Sequence, residues 1–376
     1  MHVVVDPWMV PHITLLPPFT FDWTLDGSVG AVRAFHVRPT GCPNHISPWC
    51  EATSPRDLLF AAGLMTSSAT NPNELSAWGF LVEHATSIAP NRGMLRVVDA
   101  ARTWESRTKG LFSERLAMGV AALLLWRSFN VVHIADLAPF LGVAIQQRGS
   151  AFDRVSAQFL GLHGELRPDF ICLTPQLEAV LAESKGAIGP PAAVKKVARD
   201  RAKRQLQNVA PRGVPLRQTE GRLTFASTFR AESETCRPAQ DTGAAVVDPP
   251  DGDDVLSVPV TADDITIHAY SKVLNFVGLG RAGMFLRRGW RPLLREPSVP
   301  FEFAGERMVL LAQIGDLQLG MIQGVATGLL NGAYEGVAMR VQEELKQSPL
   351  ARGEVDDVPG LRLALPNGLV LFSANP

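Results

Sequence analysis

The stretch from 168 to 186, PDFICLTPQLEAVLAESKG, decides how this chain is read. It sets Pro168-Asp169 at the head of one apolar run and Glu183-Ser184-Lys185 at the end of another. Arg167 to Thr174 predicts a strand, with proline at a start position that strands tolerate. Leu177 to Gly186 predicts a second. Alternate residues of an extended strand share a face, so Glu183 and Lys185 point one way and Ser184 the other. Leu177 to Ala182 is nearly all apolar, which predicts burial on both faces, and charges at the mouth of a buried strand need partners. Two strand-borne carboxylates beside an ammonium suit a hard divalent cation and a water. The competing reading makes Asp169 a turn cap and Glu183–Lys185 a solvated ion pair worth ~0–1 kcal/mol.

Working outward, Ser113 to Phe129 predicts a helix with Ser113 as its N-cap and Leu116, Val120, Leu123 and Leu124 on one stripe. Val131 to Ala135 predicts a short strand, and Gln146 to Gly164 a connecting insertion. Past the central stretch, Pro190-Pro191 opens an expected helix that runs to about Val209, where Pro211 and Gly213 stop it. Arg222 to Arg230 alternates again, with Leu223, Phe225 and Phe229 on one face. The expected order is helix, strand, strand, strand, helix, strand.

This order, with Asp169 and Glu183-x-Lys185 on consecutive strands, resembles the PD-(D/E)xK nuclease superfamily over about a third of the chain. The resemblance implies an α/β restriction-endonuclease-like core, a mixed β-sheet flanked by helices in the order αβββαβ. It implies Mg²⁺, with Mn²⁺ as a substitute, bound by Asp169, Glu183 and the Ser184 backbone carbonyl. Lys185 would act on the attacking water and on transition-state charge. The family's first helix often carries another acid; Glu114 is the candidate, with Asp136, Asp153 and Glu165 as competitors. The helix after the lysine strand often carries a glutamine, which Gln205 or Gln207 would supply. The implied activity is phosphodiester hydrolysis, in DNA first and in RNA as an open alternative, in restriction, anti-phage defence or repair. The competing functions are a catalytically silent nucleic-acid-binding or assembly protein on the same fold, and an interaction protein.

Residues 195–212 carry Lys195, Lys196, Arg199, Arg201, Lys203, Arg204 and Arg212 against the single acid Asp200, in a protein of net charge −1. Solvated helix faces usually alternate in sign, so this run predicts a phosphate track. Lys195, Lys196, Arg199, Lys203, Arg204 and Gln205 are its candidate nucleic-acid contacts. A second basic cluster, from Arg281 to Arg295 around Trp290, is as readily surface packing as an extension of that track.

The 376 residues exceed one compact domain of ordinary size. The expected division is an irregular unit at 1–100, a core at 101–235, a linker at 236–264 and a C-terminal unit at 265–376. A 46% hydrophobic and 19% charged composition suits a folded protein. Four cysteines are too few for a disulfide scaffold in so long a chain. Neither a secretory signal nor a membrane span is expected, and the default compartment is the cytoplasm. His36, Cys42, His45 and Cys50 fit no established zinc spacing. Gly278-x-Gly280-x-x-Gly283 matches a dinucleotide fingerprint but meets Arg287-Arg288-Gly289-Trp290, poor helix material, and is rejected as a cofactor site. Gly320, Gly324, Gly328, Gly332 and Gly336 recur every fourth residue, which predicts one long helix from Leu317 to Leu345 closely packed on another helix, in this chain or in a homodimer.

Overall fold

The computed structural model describes residues 30–37, 48–67, 80–81, 83–91, 94–141, 168–189, 206–207, 209–235, 242–247, 256–288, 300–314, 317–330, 334–355 and 358–373. Its elements begin with β1 (Gly30–Val37), β2 (Pro48–Thr53), α1 (Pro55–Thr66) and the hairpin β3 (Ile88–Asn91) and β4 (Met94–Val97). Then come α2 (Ser106–Arg127), β5 (His133–Asp136), β6 (Phe170–Leu173) and β7 (Ala179–Ile188). Next are β8 (Val209–Arg212), β9 (Arg222–Phe229), β10 (Gly243–Val247), β11 (Leu256–Pro259) and the helices α3 (Ala262–Phe276) and α4 (Gly280–Arg287).

Seven of these strands form one mixed sheet, in the order β2-β1-β10-β9-β7-β6-β5. β5 pairs antiparallel with β6 and β6 with β7, whereas β7 and β9 are parallel. A parallel neighbour demands a long crossover, and residues 189–221 supply it. Period-two burial explains the central strands. Phe170, Cys172, Val180 and Ala182 enter a core shared with α1 and α2, while Ile171, Leu173, Ala179 and Leu181 pack with Ile265 and Ala269 of α3. The mixed α/β class and the two central strands stand as expected.

Several boundaries differ, each for a local reason. The first core helix starts at Ser106, so Ser113 is not its cap; it is buried in mid-helix, donating from Oγ to the Gly110 carbonyl at 3.0 Å. Leu177 lies in the β6–β7 turn at φ 60°, where the Thr174 hydroxyl accepts from the amides of Gln176 and Glu178. Of the expected 190–209 helix, only Leu206, Gln207 and Val209 are described; the first two are helical, and Val209 instead opens β8, which pairs with β11. The buried Arg222 guanidinium donates to the carbonyls of Leu206 and Val209 and so holds this segment to the sheet.

The expected linker at 236–264 contains β10, a strand inserted between β1 and β9, and β1–β2 of the expected N-terminal unit extend the same sheet. Its Pro and Asp clusters hid the short apolar GAAVV run. The VLNFV run before the glycine motif ends a helix, not a strand, so the motif lacks a βαβ setting. A short helix, Gly280–Arg287, does open at the motif and stops at the start of the Arg287-Arg288-Gly289-Trp290 run read as poor helix material, of which residues 289 onward lie outside the described residues.

The long glycine-striped helix does not exist. Leu317–Ile322 is a strand of a five-stranded antiparallel sheet, followed by α5 (Gln323–Leu330) and α6 (Val337–Gln347). The glycines at 320, 324 and 336 therefore serve a strand, a helix start and a left-handed helix cap, and period four across them is coincidental. Gly328 does face a helix closely. A Cβ there would lie 3.6 Å from the Val341 side chain of α6, a contact inside one chain. The homodimer drawn from the stripe has lost its continuous face.

A single glycine governs how α2 seats on the sheet. A Cβ at Gly186 would stand 2.1 Å from the Ser113 carbonyl oxygen and 2.7 Å from Ala117 Cβ. Gly186→Ala must therefore push α2 off β7, at a cost of ~1–3 kcal/mol or more by urea denaturation. Gly110, in the same helix, has open space around its Cβ position, and Gly110→Ala is expected to stabilise by up to ~1 kcal/mol.

Candidate active site

Asp169 stands immediately before β6, and the register Phe170↔Ala182 sets it opposite Glu183 on β7. Each acid accepts a backbone proton from the other strand. The Asp169 amide donates to Glu183 Oε2 at 3.0 Å, and the Ser184 amide donates to Asp169 Oδ2 at 2.8 Å. Glu183 is wholly buried, and its Oε1 meets the Lys185 ammonium in an ion pair. That contact requires both side chains on one face of β7, as the strand period predicts. Lys185 keeps 29% of its side chain exposed and so reaches the surface of the site.

Glu114 comes from α2. It is exposed, lines the same cleft as Asp169, and its charge acts on both Asp169 and Lys185. Asp136, at the end of β5, lines the cleft as well. The cleft encloses about 630 Å³ between the end of α1, one face of α2 and the ends of β5 and β6. Asp153, Glu165, Lys195, Lys196, Arg199, Lys203, Arg204 and Gln205 lie outside the described residues, as do Cys42, His45, Trp290 and Arg295.

Sequence reasoning passed over Lys272. This lysine is 1% exposed, reaches from α3 to ion-pair with Asp136, and lies 5.1 Å from the centroid of the Phe170 ring. Its signal was a charge on the apolar stripe Ile265, Ala269, Lys272, Phe276, all buried. His133, also buried, lies against Tyr270 of the same helix.

Burial dominates the site's titration. It pushes Asp169 up to about 6, against the opposing charge of Lys185 and the Ser184 amide. Glu183 is raised well above the usual carboxylate range by burial first and by the Asp169 charge second. Burial alone would depress Lys185, but Glu183 and Asp169 outweigh it and hold the ammonium above its ordinary value. A buried and a half-buried acid beside a single ammonium leave a negative charge that a proton or a cation relieves, and the group titrates as a unit.

The donor set suits a hard divalent cation that keeps most of its water: two carboxylates that already share one acceptor oxygen each with a backbone amide. Among the described residues no group of three or more His, Cys, Asp or Glu side chains is arranged to hold a metal ion, so Asp169 and Glu183 would need the Ser184 carbonyl or water to complete such a site. No helix among the described residues is long and apolar enough to cross a membrane. Comparison with protein-family models, curated proteins and solved structures finds no match for the chain.

A pH-dependent stability follows. The folded pKa of Asp169 exceeds its unfolded value of 3.8, so its stabilising protonated form is complete below that value and is lost as pH rises through about 6. Asp169→Asn should therefore be more stable than the wild type at about pH 8, since it also relieves Glu183 of the Asp169 charge, and the advantage should fade by about pH 4. His133 and His268, pushed down to about 3 and about 4 by burial, act in the opposite sense in both proteins and cancel in the difference. Chemical denaturation of both proteins across this range, with chelator present, checks it; parallel curves would refute it.

Proposed function

We propose that this chain is a metal-dependent nuclease that hydrolyses phosphodiester bonds, with DNA as the first substrate to test. The observation that carries the reading is the meeting of Asp169, Glu183 and Lys185 through one hydrogen bond and one ion pair, with Asp169 lining the cleft, on a sheet whose strands β5, β6, β7 and β9 run antiparallel, antiparallel and then parallel. The strand order fits the αβββαβ core of the PD-(D/E)xK superfamily, with α2 as its first helix.

In this reading Asp169 and Glu183 would hold Mg²⁺, with the Ser184 carbonyl as a further oxygen. The bound ion would supply charge neutralisation on the phosphate and a more acidic water. Lys185, held protonated by its neighbours, is a hydrogen-bond donor to a non-bridging phosphate oxygen rather than a base. Glu114, across the cleft on α2, is placed to accept a hydrogen bond from water next to Asp169. Arg115, its neighbour in the cleft wall, offers a further cation to the nucleic-acid backbone.

One observation favours a second reading. Glu183 Oε1 is already taken by Lys185 among the described residues, as in a silent nucleic-acid-binding protein whose charges satisfy one another. Incubation with plasmid and single-stranded DNA in Mg²⁺, Mn²⁺ or EDTA separates the two. Cleavage should appear with either ion and vanish in EDTA. Asp169→Asn and Glu183→Gln should each lower it by ~10²–10³-fold or more, with DNA retention in a gel-shift assay largely unchanged. Lys185→Ala should lose cleavage yet still bind Mn²⁺. DNA binding with no cleavage under any ion supports the silent reading.

A further inference from the structure

We infer that the cleft beside Asp169 is a pocket for one unpaired nucleobase, so that the preferred nucleic acid is single-stranded or locally unpaired at the bound position. The inference rests on the nuclease reading for its placement and deepens it to a substrate class. Leu111 and Met118 recur at helical spacing on the face of α2 that also carries Glu114, and Met65 closes the cleft from the end of α1. Leu111 is 50% exposed, one of three large apolar side chains so exposed among the described residues, and it stands at this cleft. The cleft is an open hollow of about 630 Å³, with room for a base together with its attached sugar and phosphate, whereas a phosphodiester alone would leave most of it empty.

The chemistry of the lining favours an aromatic ring with polar edges. Two thioethers offer polarisable contacts to a π-system. Thr66 Oγ1 donates to the Ala62 carbonyl at 2.9 Å, and Ser67 Oγ donates to the Gly63 carbonyl at 3.0 Å. Thr66 and Ser67 both line the cleft, and with their protons engaged their hydroxyl oxygens remain as acceptors, which suits the amino or imino N–H groups of a base. Arg115 and Lys185 supply charge to the adjoining phosphates. A base inside a duplex has its edges paired and its faces stacked, so it reaches such a pocket only when flipped or unpaired.

The test is equilibrium binding of the full chain, in EDTA to prevent cleavage, to three fluorescent probes of equal length: a single strand, the same strand with abasic sugars, and a blunt duplex. The wild type should bind the base-bearing strand about tenfold tighter than the abasic one, and the duplex no tighter than the abasic strand. Leu111→Gln and Met118→Gln, both neutral and helix-compatible, should together bring the base-to-abasic ratio close to one. The abasic affinity should stay unchanged, and the abasic probe also reports that the variant is folded. A wild-type ratio near one, a ratio kept in the variant, tighter duplex binding, or no binding to any probe overturns the inference. A preserved base preference in a protein that cuts nothing under any metal leaves the pocket standing and removes only the catalytic reading.

Discussion

Two crossed hydrogen bonds, from the Asp169 amide to Glu183 and from the Ser184 amide to Asp169, set the terms for the rest of the site. At this end of the β6–β7 ladder a side-chain carboxylate takes the acceptor position that a backbone carbonyl would otherwise fill. Charge-assisted bonds of this kind are stronger than the neutral ones they replace, but they draw two anions into the interior. Lys185 compensates one of them from the same face of the strand. The next residue must be glycine, because α2 passes too close for any side chain. Strand pairing, charge placement and helix seating are thus one linked constraint.

Asp136 and Lys272 repeat the pattern on the next strand, where a buried ammonium from α3 neutralises an acid at the cleft edge. This pair ties the helix that follows the expected linker directly to the candidate site. A C-terminal helix therefore contributes to the electrostatics beside Asp169, and the side chains around the candidate site come from both sides of residue 235. Asp263, at the head of the same helix, accepts from the amides of Gly336 and Ala338 at 2.8 Å each, and so extends the tie to α6.

The site was legible wherever the signal was local. Strand period two put Glu183 and Lys185 on one face, and the apolar run before them announced burial; both follow from residues within ten positions. The Lys272–Asp136 pair joins residues far apart in sequence, and only the fold brings them together. The sheet was half legible for the same reason. β6 and β7 flank a short turn and read as strands on their own, whereas β10 is five residues among turn formers and acquires strand character from its neighbours β1 and β9. The glycine repeat misled because its period matches a helix face while its residues divide among a strand, a helix and a cap.

The parallel pairing of β1 with β10 bears on how the protein emerges from the ribosome. Val37 pairs with Val247, so roughly 200 residues must follow β1 before its inner neighbour exists. At ordinary translation speeds that interval is on the order of 10–40 s. Until then both edges of the β1–β2 ribbon lack a partner in this sheet, and the β1 edge is open to whatever strand arrives first. All the strands from β5 to β9 are synthesised earlier, so β10 is the last of the seven to be made and lies between two pieces that precede it in the chain.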